Sequence, residues 1–415
     1  MIEILDLSAL LLSLAAIFSY LNFRFIKLPT TIGIMLIAMF ISVSLVILGH
    51  CGFEGIQNRA TVTLEGIDFN KTLMHGMLSF LLFSGALHVN LDDLAKHKWI
   101  ISTLATFGVI FSTLIVGGSA WVVFLIVGIK LPFIYCLLFG SLIAPTDPIA
   151  VIGILNKAGV PKSLETKITG ESLFNDGVAV VVFLVITGIA AGGHDVTAEH
   201  IMFLFIEEAI GGIFFGLLIG WLTYLMLKSL DNYQVEVLLT LALVMGGYSL
   251  ARAIHVSGPI AMVVAGMFIG NRGRLFAMSE ETRKHLDSFW ELMDEILNAV
   301  LFLLIGLEVL VLTIKERYLI AGLAMIPVVL FARFISVGIP VTFMRRVRDF
   351  SPDAVKIMTW GGLRGGISVA LALSIPTGPE REALLTITYI IVVFSILVQG
   401  LTIERLATSR KFESA

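Results

Sequence analysis

Four polar side chains, Glu171, Ser172, Asn175 and Asp176, stand in an apolar run from Ile168 to Ala191. The run is about long enough to cross a bilayer as a helix. A carboxylate at mid-bilayer costs about 2.5–3.5 kcal/mol even on lenient insertion scales, so two in one span need a compensating reason. Glu171 and Asn175 are four residues apart and share a helix face; Ser172 and Asp176 share the adjacent one. The second pair sets a hydroxyl beside a carboxylate, hard oxygen donors suited to a small cation or a proton.

The elements that must position these groups are membrane helices. Of the 415 residues 57% are hydrophobic and 14% charged, at a mean hydropathy of +0.97, where soluble domains carry about 25% charge. The apolar runs are continuous rather than alternating, which fits an all-α polytopic membrane protein and not a β-barrel. About thirteen spans are expected, near 4–22, 29–48, 73–91, 99–127, 131–155, 168–191, 199–227, 234–253, 256–270, 291–313, 318–343, 354–374 and 383–404. A net charge of −3 without a Lys/Arg-rich arm argues against nucleic acid. Cys51 and Cys136 make no disulfide framework, and no Cys/His cluster implies a metal cofactor. The first run lacks the features of a cleaved signal and is expected to be a retained helix. The loops near 49–72 and 271–290 and the tail 406–415 are too short for a soluble domain, so any transport is expected to be driven by a gradient.

Basic residues orient the spans. Nineteen of the 28 Lys and Arg fall in one set of loops and adjoining span ends and seven in the alternate set, with Arg333 and Arg364 deep inside spans. The positive-inside rule then places the N-terminus outside and the C-terminus in the cytoplasm of a cell (inner) membrane protein.

Two spans carry interruptions. In Ala144-Pro145-Thr146-Asp147-Pro148 the first proline should end a helix near residue 144. Gly361-Gly362-Leu363-Arg364-Gly365-Gly366 holds four glycines in six positions. If 1–191 and 234–405 are two six-helix repeats joined by a linker helix at 199–228, the breaks occupy the fifth span of each, in inverted orientation. Paired breaks in inverted halves are the signature of a secondary transporter with its site at the midplane. Unwound carbonyls there can ligate a cation, and the half-helix ends need charges of suitable sign. Asp147 suits either a half-helix N-terminus or the ion; Thr146 offers a carbonyl or a hydroxyl. Glu171 and Arg364 are expected to pair, which would relieve an Arg set between glycines.

Glu207 and Glu208 are expected to be solvated near the end of the seventh span. Asp294, Glu295 and Glu308 flank the tenth and could line an ion entrance, although interfacial solvation is the favoured expectation. His88 and His255 sit at span ends, where packing competes with a pH-sensing role. A cation channel or a non-transporting membrane sensor is the rival class, although no repeated filter-like segment is present. No enzyme motif pairs a nucleophile with a base.

In four segments the chain resembles the monovalent cation:proton antiporters, which include bacterial NhaP-type sodium/proton antiporters and animal sodium/hydrogen exchangers. These are APTDP at 144–148, GESLFNDGVAVVVF at 170–183, SGPIAMVVAGMFIGNRG at 257–273 and WGGLRGGISVALAL at 360–373. The resemblance implies a homodimer whose six-helix core moves against a dimerisation domain, exchanging Na+ (or Li+ or K+) for H+ without a cofactor. It implies that Asp176 binds cation or proton, with Ser172 and Thr146 as further Na+ ligands. Asn175 beside Asp176 matches the electroneutral branch. Asp147 would steady crossed, partly unwound helices 5 and 12, and Glu171 would pair with Arg364. Many bacterial relatives carry an acid in the third span where this chain has Ser84.

Overall fold

The computed structural model describes residues 4–65, 69–147, 155, 160–190, 198–313, 315–346, 350 and 353–408. Among these the regular elements are helical: α1 (Ile4–Leu21), α2 (Thr30–His50), α3 (Glu54–Glu65), α4 (Phe69–Thr72), α5 (Leu78–Leu87), α6 (Leu91–Val127), α7 (Phe133–Ile143), α8 (Lys162–Ala190) and α9 (Ala198–Lys228). There follow α10 (Tyr233–Ala253), α11 (Gly258–Phe268), α12 (Arg274–Phe276), α13 (Glu280–Leu307), α14 (Glu316–Met344), α15 (Ala354–Trp360), α16 (Gly366–Ser374), α17 (Pro379–Phe394) and α18 (Gly400–Thr408). Eight of the described helical stretches are long and apolar enough to cross a membrane; α5 and α7 are shorter apolar helices. Pro148, the second half of the fifth expected span and the tail beyond Thr408 lie outside the described residues.

Hydropathy locates apolar centres better than helix ends. Helix α6 begins at Leu91 rather than near 99, because Asn90 accepts hydrogen bonds from the Asp92 and Asp93 amides at 2.9 and 3.2 Å. Acids in that first turn also suit the helix dipole. Its 37 residues reach roughly 55 Å, well past the apolar layer. Likewise α13 begins at Glu280, capped by Ser279 on the Thr282 amide. In the expected loop at 49–72, α3 is a helix that hydropathy does not mark.

The helices pack in two groups that meet at a shared boundary. In one, α6 lies against α7, α8 and α14, and α14 against α15 and α17. In the other, α11 lies against α9, α10 and α5, and α13 against α2 and α5. Both draw on early and late parts of the chain, so neither coincides with 1–191 or 234–405. Close approach is bought with small residues: a methyl on Gly140 of α7 would collide with the Thr113 carbonyl of α6.

The interruptions form where Pro and Gly require them. Helix α7 stops at Ile143, and the chain from α15 to α16 is non-helical between Gly361 and Gly365. The two broken segments meet. The Asp147 amide donates to the Leu363 carbonyl at 2.8 Å, and Arg364 Nη1 donates to the carbonyls of Ala144 and Pro145 at 2.6 and 2.9 Å. A cation thus caps the negative end of α7. The carboxylate of Asp147 abuts Gly365 at the positive N-terminus of α16, where any Cβ would strike it.

The expected Glu171–Arg364 pair does not form. Glu171 is held by Arg333 of α14 through two contacts, Nη1 to Oε1 at 2.5 Å and Nη2 to Oε2 at 3.0 Å. Arg364 is consumed by the α7 carbonyls, and Gly362 leaves the room that lets the Arg333 guanidinium pass. At 1% and 6% exposure the pair is out of water, where removing one partner costs about 3–5 kcal/mol. Arg333→Gln should therefore lower the melting temperature of the detergent-purified protein more than the double variant Glu171→Gln/Arg333→Gln. Equal or smaller loss in the single variant would show that the pair does not tie α8 to α14.

Candidate ion-binding site

The four polar residues of α8 and the unwound Thr146-Asp147 segment converge. Glu171, Ser172, Asn175 and Thr146 are each at most 4% exposed, and Asp176 is 8% exposed. The Ser172 hydroxyl donates to the Thr146 carbonyl. Asn175 grips the same residue from both sides: its Nδ2 donates to Thr146 Oγ1 at 2.8 Å, and its Oδ1 accepts from the Thr146 amide at 3.5 Å. Proline at 145 is what exposes these backbone groups, since a continued helix would have consumed them.

One carboxylate is left over. Asp176 Oδ1 is buried and has no hydrogen-bond donor, a costly arrangement for an anion unless a cation or proton joins it. Its residue lines a cavity of about 700 Å³ together with Ser172, Thr146, Asp147 and Asp294. The wall also includes Asn90, Asp93, Lys162 and Glu165, which place its mouth at the end of α6 and α8 where both helices begin. Among the described residues no three His, Cys, Asp or Glu side chains are grouped as a metal cluster would need. The donors at hand are hydroxyl, carbonyl and carboxylate oxygens, the set that suits a hard cation.

The remaining candidates divide. Ser84 lies in the cavity wall, but its hydroxyl is turned to α13 and donates to the Trp290 carbonyl at 3.1 Å. His88 also lines the cavity, its Nδ1 2.9 Å from the Ser84 carbonyl. His255 is in a left-handed turn, φ 57°, away from the cavity wall. Asp294 lines the cavity, the alternative of an ion entrance rather than the favoured interfacial solvation, and Glu308 is buried at 9% exposure rather than solvated. Glu295 is exposed as expected. Arg333, Asn298 and Ser368 are parts of the region that spacing does not single out. The buried Arg333 had a legible signal, because an Arg inside a span needs an acid and Glu171 was at hand.

Comparison with known proteins gives the family. Residues 10–409 match the family model described as sodium/hydrogen exchanger, transmembrane. The chain is 51% identical over 403 residues to the Na(+)/H(+) antiporter NhaP of Pseudomonas aeruginosa, covering 96% of this chain and 95% of the other. It is 33% identical over 412 residues to the Na(+)/H(+) antiporter NhaH of Halobacillus dabanensis, covering 98% and 96%. In fold it is similar to the sodium proton antiporter MjNhaP1 from Methanocaldococcus jannaschii, with a TM-score of 0.73 at 21% identity over 96% of each chain. With a match running nearly end to end, the chain belongs to the sodium/hydrogen exchanger transmembrane family.

Proposed function

We propose that this protein is a secondary antiporter that exchanges Na+, or a related alkali cation, for H+, with Asp176 as the shared seat of both. The observation that carries the reading is the Asp176 oxygen without a donor, on the wall of a cavity, beside neighbours that are already bonded to one another. Family membership and the names of the relatives at 51% and 33% identity point the same way.

The chemistry follows from competition. Desolvation favours a neutral carboxyl group, and a bound cation favours a carboxylate, so proton and cation exclude each other at one site. The loaded site is neutral in either form, whereas an empty carboxylate is expensive to carry through an apolar barrier. Exchange without leak results. Asn175 spends its amide on Thr146, leaving Asp176 as the one acid of this turn, which supports an electroneutral exchange of one Na+ for one H+. Thr146 and Ser172 supply further oxygen ligands, and Asp147 with Arg364 holds the crossing that presents them.

The same reading includes thirteen spans, inverted repeats in 1–191 and 234–405 about the linker at 199–228, and a homodimer in the cell membrane. With the Lys-rich loops cytoplasmic, the cavity mouth beside Asp93 and Lys162 faces the cytoplasm. Access would alternate by movement of the α6–α8 and α14–α18 group against the other.

Asp176→Asn should abolish sodium-dependent ΔpH dissipation in proteoliposomes while the protein still inserts; robust exchange by that variant would remove Asp176 from the role. Wild-type exchange should be unchanged when membrane potential is clamped at different values with K+ and valinomycin. A rate that follows the clamp would contradict one-for-one exchange, and uptake of labelled sodium with no trans ion would favour a channel.

A further inference from the structure

Across the cavity from Asp176 stands a second carboxylate, supplied by the opposite packing group. Asp294 of α13 lines the same cavity, as do Glu291 one turn before it and Leu301 two turns after. Residues 291, 294, 298 and 301 share one helix face; Asn298, which is not itself among the lining residues, stands one turn beyond Asp294 on that face. Its Nδ2 donates to Asp294 Oδ2 at 2.9 Å. Asn298 is 2% exposed, and its Oδ1 has no hydrogen-bond donor. A buried amide oxygen without a donor, next to a carboxylate that its own amide nitrogen holds in place, makes a pair of hard acceptors within one turn of each other on α13.

The surroundings fix this pair and keep positive charge away. The Ser84 hydroxyl donates to the Trp290 carbonyl at 3.1 Å, the carbonyl one helical turn before Asp294, so α5 braces α13 at this level. Of the Lys and Arg residues, Lys162 alone lines the cavity among the described residues, and it stands at the mouth, 3.9 Å from Asp93. The other Asp, Glu, Lys and Arg residues of the wall are all acidic.

We propose that Asp294 and Asn298 form a second cation station: an alkali cation entering the cavity binds the Asp294 carboxylate and Asn298 Oδ1 before passing to Asp176. The station belongs to the group opposite Asp176, so it serves the cavity face only and is left behind when access alternates. This rests on Asp176 being the transport seat, and the two ideas fail differently.

The test uses the full-length protein in proteoliposomes, with Na+ dependence measured from each face separately. Asp294→Asn should raise the half-maximal Na+ concentration on the cavity face about tenfold, the loss of one charge-assisted contact, while maximal rate falls less than threefold and the opposite face is unchanged. Asn298→Ala should shift it in the same direction by a smaller factor, and Asp294→Glu should stay near wild type. An unchanged half-maximal concentration on the cavity face, an equal shift on both faces, or a lost maximal rate at unchanged half-maximal concentration overturns the station. If Asp294→Asn fails to insert, Asn298→Ala decides by the same criteria. Exchange that survives Asp176→Asn would instead sink the seat itself.

Discussion

A membrane interior offers no water to satisfy a broken helix, and this constraint organises the whole molecule. Ending α7 at Ile143 leaves carbonyls without donors, and separating α15 from α16 leaves amides and charges without partners. Each break is repaired by the other. Arg364 closes the carbonyls of Ala144 and Pro145, the Leu363 carbonyl takes the Asp147 amide, and Asp147 sits at the N-terminus of α16 against Gly365. The repair is complete enough that Thr146 can be spared to organise α8.

The polar turn of α8 then divides its labour. Glu171 faces α14 and is neutralised by Arg333. Ser172 and Asn175 hold Thr146. Asp176 is left with an oxygen that the protein does not satisfy. The neighbours are therefore as important as the acid: by bonding to one another, Ser172, Asn175 and Thr146 leave the carboxylate for a mobile ion. Asp294 repeats this pattern more weakly on the other wall, with Asn298 as its companion.

Much of this was legible in residue types. Acids in an apolar run marked α8, and proline and clustered glycine marked the breaks, because each carries a cost that only structure can repay. Partner choice was less legible. Two Arg residues lay within spans and one Glu was in reach; the guanidinium that wins is decided by Gly362 opening a path for Arg333 and by the α7 carbonyls claiming Arg364, facts of three-dimensional proximity. Helix ends were hidden where polar caps such as Asn90 and Ser279 extend α6 and α13 beyond their apolar centres. Asp294 was half legible: an acid near the end of an apolar run can line an ion entrance or be solvated, and only the cavity beside it decides between the two.

The most direct test of the shared seat is equilibrium Na+ binding to the purified protein as a function of pH. If proton and cation compete for the Asp176 carboxylate, the apparent Kd for Na+ rises about tenfold for each pH unit lowered below the titration of the site, with one proton released per ion bound there. A Kd that stays constant through the acidic range, or sodium binding without proton release, would contradict it.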